Sequence, residues 1–125
     1  PGRVAYGVSE AWDRRTLEAA LDPLVRWAHR HGVPASRIFV GEIGIDRRVP
    51  GAARYLEDAL DIASDARWHW AFYAFREDDW DGMDYELGSR PIDESVRGAL
   101  RRGDDADGLR RAQPPFDAIV RALER

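Results

Sequence analysis

The chain contains no cysteine, so neither a disulfide framework nor a thiolate metal site is open to it. That absence leaves the compartment undecided, because cysteine-free proteins live in oxidising and reducing surroundings alike. Lysine is absent as well. All 19 cationic residues are arginine, which reads first as a coding bias of the source and only second as function. There is no basic excess: the formal net charge is −4 and the pI is near 5.4. A reader of nucleic-acid phosphates carries a basic face, so no nucleic-acid partner is expected. No apolar run approaches the roughly 20 residues of a membrane span, so no membrane partner is expected either. A glycine-rich phosphate loop and a Gly-x-Ser-x-Gly elbow are both missing, which leaves nucleotide and esterase chemistry without support. The start at Pro1-Gly2, with no methionine and no leader-like stretch, is what a processed or truncated product would show.

What is present describes a folded domain. Of 125 residues, 44% are hydrophobic and 34% charged, a balance that excludes disorder throughout and gives room for one domain. After a mixed lead-in over residues 1–15, Leu17, Leu21, Leu24, Val25 and Ala28 recur at helical spacing. Pro23 interrupts them, so either the helix bends there or Asp22 caps a new helix with Pro23 in its first turn. Gly32 and Pro34 end the segment, and Ile38–Val40 reads as a strand. Pro50-Gly51 closes a loop, after which Ala52, Leu56, Ala59, Leu60 and Ala63 form one apolar helical stripe. An aromatic-rich strand is predicted over Trp68–Phe75, then an acidic loop from Glu77 to Gly88. The stretch 89–113 is weakly patterned, with a short helix around Glu94–Arg101 and a flexible Gly103-Asp104-Asp105 region. Pro115 opens a last helix that buries Phe116, Ile119, Val120 and Leu123. Helices alternating with strands make the fold class α/β.

The segment richest in chemistry is Arg37-Ile38-Phe39-Val40-Gly41-Glu42-Ile43-Gly44. A short apolar strand runs into a glutamate. A carboxylate there needs either a pairing partner or a chemical task. With period two, Ile38, Val40 and Glu42 share one face, and Phe39 and Ile43 the other.

Phe39-Val40-Gly41-Glu42-Ile43-Gly44 resembles the seventh strand of family 5 glycoside hydrolases, the cellulase-like retaining barrels. His69-Trp70-Ala71-Phe72-Tyr73-Ala74-Phe75-Arg76 resembles the eighth strand, and Trp80 to Gly88 the loop after it. The likeness covers roughly residues 16–88, with the final helix near 114–124 in keeping. It implies the last quarter to third of a (β/α)8 TIM barrel, with strand seven near 38–42 and strand eight near 68–75. A whole barrel takes about 250 residues, so the N-terminal part would lie elsewhere in the same barrel. The resemblance makes Glu42 the nucleophile, set at a strand's carboxyl end and facing the barrel mouth. Ile38 and Val40 would fill the barrel, and Phe39 and Ile43 would face the helices. Tyr73, Trp80 and Arg76 become substrate-binding residues for a β-linked polysaccharide or smaller glycoside. No cofactor is implied, because two carboxyl groups do the chemistry of retaining hydrolysis.

The chain departs from the family pattern in several places. The Asn-Glu pair that carries the acid/base after strand four is absent, as are the histidine and tyrosine of earlier strands. The tryptophan common near the end of strand eight is replaced, by position, with Tyr73; a two-residue slip would choose Phe75. The chain alone is therefore expected to be inactive. Two other readings stay open: a small non-enzymatic α/β interaction domain, and a different retaining barrel hydrolase.

Other features carry blander readings. Glu77, Asp79, Asp81 and Gly82 match the first positions of a calcium loop, but Gly88 stands where a bidentate glutamate is required. A solvated or substrate-lining acidic loop is the expectation there, with no metal. His29 and His31 fall at a helix end, where a cation suits the dipole. Trp12, Trp27 and Trp68 read as packing residues.

Overall fold

The computed structural model describes residues 4–6, 10–77, 80–104, 106–110 and 113–125. The lead-in holds an antiparallel pair, β1 (Val4–Tyr6) and β2 (Glu10–Trp12), which the sequence pattern did not announce. Helix α1 (Arg14–Arg30) follows as one element with Pro23 inside it. Its cap is Asp13, whose carboxylate accepts the Thr16 amide at 2.9 Å. That bond holds the Asp13 carboxyl below its ordinary pKa. Asp22 caps nothing; it pairs with Arg26 one turn on, at 2.8 Å. At the other end the His31 ring donates from Nδ1 to the Trp27 carbonyl at 2.8 Å and stacks on the Trp27 indole. Trp27 is thus half exposed rather than packed in the core, while Trp68 is buried.

Strand β3 (Phe39–Ile43) and strand β4 (His69–Phe72) are parallel, and α2 (Ala52–Asp65) is the crossover between them. The apolar stripe of α2 explains its place. Leu56 and Leu60 have no solvent exposure, and Ala52 and Ala63 almost none. They join Ile43, Ile45, Trp68, Met83 and Tyr85 on one side and Ala118, Ile119 and Ala122 on the other in a single core. After β4 come two short 3-10 turns, Asp81–Met83 and Tyr85–Leu87. Helix α3 (Glu94–Arg102) is capped by Asp93, which accepts the Val96 amide at 2.8 Å. A short helix α4 (Ala106–Leu109) precedes α5 (Pro114–Leu123), which opens on two prolines as its missing N–H groups allow and packs along α2. Of the Gly103-Asp104-Asp105 region, Gly103 ends α3 and Asp104 bonds Arg102 at 2.8 Å, while Asp105 lies outside the described residues.

The fold shown is therefore mixed α/β, with a two-stranded parallel sheet covered on one face. Strict alternation along β3 fails. The register runs Phe39 with His69 and Val40 with Trp70, then slips so that Ile43 meets Phe72. The extra residue at Gly41-Glu42 is a bulge, and a bulge resets which side chains share a face. Ile38 and Val40, expected on the face away from the helices, pack against the helix-side core together with Ile43. Phe39, expected to face the helices, is instead 64% exposed on the uncovered face. Strand β4 also ends sooner than the aromatic run: beyond Phe72 the Tyr73 amide still bonds Ile43, but the Ala74 amide turns to the Met83 carbonyl. The Tyr73–Ala74 peptide is cis.

Truncating the centre of this core tests it. Ile119→Ala, at the α2–α5 contact and fully buried, should lower the unfolding free energy by about 2–5 kcal/mol in a urea titration. Leu123→Ala, 65% exposed at the end of the same helix, should change it by no more than about 0.5 kcal/mol.

Candidate functional site

The carboxyl ends of β3 and β4 and the segments that follow form the candidate site. Glu42 stands on the bulge of β3, exposed to solvent. Among the described residues it makes no hydrogen bond and no ion pair, so an arginine-paired structural carboxylate is not what the geometry gives. It borders a cleft of about 240 Å³, otherwise apolar, between β3, α1 and α2, with Trp12, Leu17, Leu21, Val40 and Tyr55 among the lining. That cleft is on the helix-covered side of the sheet, so the expectation that Glu42 faces a barrel mouth away from the helices is not met: like Ile38 and Val40, it borders the helix side.

Tyr73 sits one residue past β4, with its amide on the Ile43 carbonyl at 3.0 Å. Its hydroxyl donates to Glu77 at 2.6 Å, and its ring lies 6.4 Å from that of Trp80, tilted by 51°. Trp80 is 53% exposed, so the pair offers an aromatic surface beside the sheet end. The structure thus brings Tyr73 and Trp80 together, on the strand next to the one that carries Glu42. Arg76, in the left-handed backbone region, is engaged elsewhere: its Nε donates to Glu86 at 2.8 Å and its guanidinium lies 5.0 Å from the Phe75 ring. It serves the loop, and its assignment to substrate has no geometric support of its own.

Of the two expectations for the acidic loop, solvated or substrate-lining, the solvated one fails beyond Trp80. Asp81 through Tyr85 are buried, and Asp84 and Tyr85 are each only 1% exposed. The counter-charges are arginines that sequence reasoning passed over. Arg47, on the loop after β3, has no solvent exposure. It donates from Nε to the Asp81 carbonyl at 2.7 Å, from Nη1 to the Gly88 and Arg90 carbonyls, and from Nη2 to the Asp81 carboxylate at 3.0 Å. The Arg47 amide also bonds the Gly82 carbonyl at 2.7 Å. Arg97 of α3 reaches the same carboxylate at 3.2 Å, and Arg48 lies 3.8 Å from it. Deeper still, Arg110 donates to one oxygen of Asp84 through Nε and Nη2, at 3.1 and 2.9 Å. The planar five-donor guanidinium suits this work, since one group can close several carbonyls and a carboxylate at once. The arginine-rich composition of the whole chain says nothing of who pairs with whom.

Asp46 completes the junction. Its carboxylate accepts from the Arg48 guanidinium and from the Arg48 amide, at 2.8 and 2.9 Å. These bonds hold its pKa below the usual aspartate value and raise that of Arg48. Gly82 passes so close that a Cβ there would meet the Asp46 carboxylate and the Arg48 guanidinium. No third ligand gathers for a metal: among the described residues no group of three or more His, Cys, Asp or Glu side chains could hold an ion. Of the calcium-loop positions, Asp79 lies outside the described residues, and Asp81 is already occupied by arginine. Among the described residues, no helix is long and apolar enough to cross a membrane.

No known family model matches this chain, and no curated protein matches it either.

Two outcomes follow from the junction. Arg47→Met leaves three carbonyls and a buried carboxylate short of a donor, and should cost about 3–5 kcal/mol in a denaturant titration. Asp46 has a folded-state pKa below its unfolded one, so its contribution is complete well above pH 3.8 and is lost as pH falls through the folded value. The stability gap between the native protein and Asp46→Asn should therefore be widest near neutrality and close on acidification.

Proposed function

We propose that this chain forms the last quarter to third of a (β/α)8 barrel, and that the whole protein is a retaining glycoside hydrolase acting on a β-linked polysaccharide or glycoside. The observation that carries this reading is Glu42 itself. It is a solvent-facing carboxylate at the carboxyl end of a parallel strand, without an ion-pair partner among the described residues, next to the strand end that presents Tyr73 and Trp80. Carboxyl ends of parallel strands are where barrel enzymes keep their reacting groups. Within the order β1, β2, α1, β3, α2, β4, α3, α4, α5, the run α1–β3–α2–β4 supports the same placement, as does the resemblance of the Phe39–Gly44 and His69–Gly88 segments to strands seven and eight of family 5 enzymes.

On this reading the Glu42 carboxylate attacks the anomeric carbon while an acid elsewhere in the barrel protonates the departing oxygen. The resulting glycosyl ester is then cleaved by water, with the acid now acting as base. Tyr73 and Trp80 present ring faces to a sugar, and no cofactor takes part. The acid/base belongs to the part of the barrel before this chain, in an Asn-Glu pair about 80–130 residues ahead of Glu42, at about 30 or more residues per βα unit. A complete interaction domain of this size is less well supported, because a two-stranded parallel sheet with one bare face and Phe39 exposed on it is a poor end state.

The test is hydrolysis of β-glucan, mannan and aryl β-glycosides by the full-length protein and by Glu42→Gln. The native enzyme should release products with retained configuration, seen by NMR at early times. The variant should be folded and slower by on the order of 10³-fold or more. A native protein inert on every substrate, or a fully active variant, would end the proposal.

A further inference from the structure

The hydrogen-bond pattern where β3 and β4 part contains an insertion. In a parallel ladder, a residue whose amide bonds one residue across the gap sends its carbonyl to the amide two places further on. The Tyr73 amide bonds the Ile43 carbonyl at 3.0 Å. The next rung should run from the Ile45 amide straight to the Tyr73 carbonyl. Instead the Tyr85 hydroxyl occupies it, accepting from the Ile45 amide at 3.0 Å and donating to the Tyr73 carbonyl at 2.8 Å. Tyr85 comes from the loop beyond β4 and is almost wholly buried. Gly44 makes room for it: a Cβ there would lie 2.6 Å from the Tyr73 carbonyl oxygen, 2.7 Å from Met83 Cε and 3.2 Å from the Tyr85 hydroxyl.

We infer that Tyr85 is a positioning residue. Its hydroxyl is a spacer in the last rung of the sheet, and it sets how far apart the strand ends carrying Glu42 and Tyr73 stand. A direct amide-to-carbonyl bond would draw those ends together by the width of one oxygen. The phenol keeps both backbone groups satisfied while holding the two strand ends apart. Because Tyr85 lies between Met83 and Leu87 in the arginine-held loop, the spacing is set from the same segment that carries Trp80. The inference rests on the glycosidase reading above for its catalytic consequence, and on the ladder alone for its geometry.

Tyr85→Phe in the full-length protein tests both halves. Amide hydrogen exchange should show faster exchange at Ile45 in the variant, with protection in α2 unchanged. On an aryl β-glycoside, kcat should fall about 10- to 100-fold with KM altered less than about threefold, the signature of displaced reacting groups rather than lost binding. Ile119→Val, which weakens the core away from the strand ends, should leave kcat as it is and so separates positioning from stability. If Tyr85→Phe does not fold, Gly44→Ala pushes on the same rung from the other strand and should show the same selective loss of kcat. An active native enzyme whose kcat survives the folded variant overturns the positioning role while leaving the glycosidase reading intact. Unchanged exchange at Ile45 overturns the spacer itself. A native protein inert on all glycosides instead removes the catalytic premise.

Discussion

A guanidinium sealed from water dictates how the loops of this protein are arranged. The Arg47 guanidinium carries five N–H donors, so in a site with no solvent exposure every donor it points inward must find an acceptor. It finds them on the loop after β4: the Asp81 carbonyl and carboxylate, and the carbonyls of Gly88 and Arg90. Those bonds tie the segment after the first parallel strand to the segment after the second. Everything beyond the sheet is built on that tie. Asp81 in turn draws Arg97 and with it α3, Asp84 fixes Arg110 before α5, and Tyr85 is carried into the ladder between Ile45 and Tyr73. The net worth of such buried pairs in stability is small compared with what removal of one partner costs. Their effect here is on arrangement, in that one loop geometry satisfies all of them together.

The consequence at the candidate site is rigidity where a substrate would dock. Tyr73 is held by its amide, by its carbonyl and by its hydroxyl, and Trp80 leads directly into the clamped turn. Glu42, in contrast, is left to solvent on a bulge at the edge of an apolar cleft. An unpaired carboxylate on one strand and a fixed aromatic pair past the end of the next are the two features on which the proposed sugar chemistry rests. Among the described residues each strand of the parallel sheet has one pairing partner and one face is uncovered, which is what the proposal of a larger closed sheet rests on.

Much of the frame was legible in the sequence because it rests on periodicity. The stripe Ala52, Leu56, Ala59, Leu60, Ala63 became α2, and Pro115 with Ile119 became α5, since burial at intervals of three to four residues has one good solution. At Pro23 the sequence left two courses open, and the helix runs on through the proline instead of starting anew at Asp22, held by the Asp13 cap and by buried Leu17 and Ala28. The phase of β3 was lost to a bulge at Gly41-Glu42, where a glycine within a strand, a usual mark of a bulge, was not read as one. At the site, Glu42 stood out through local context, a carboxylate after an apolar strand, while Tyr73 and Trp80 entered through the resemblance to strand eight and its loop. The partners that organise them, Arg47, Arg97, Arg110 and Tyr85, did not. The roles of the arginines depend on contacts between residues 16 to 43 positions apart, and that of Tyr85 on insertion into another strand pair, and such contacts leave no trace in spacing.

The central claim is that Glu42 becomes covalently bound to a sugar during turnover. The most direct measurement is to incubate the full-length protein with a 2-fluoro β-glycoside bearing a good leaving group, digest it, and map the labelled peptide by mass spectrometry. The fluorine slows breakdown of the glycosyl ester, so a retaining enzyme accumulates it on its nucleophile. Stoichiometric label on Glu42, absent from Glu42→Gln, is the predicted result. Label on another carboxylate, or steady turnover of β-glycosides with no covalent adduct at any residue of this chain, would contradict the account.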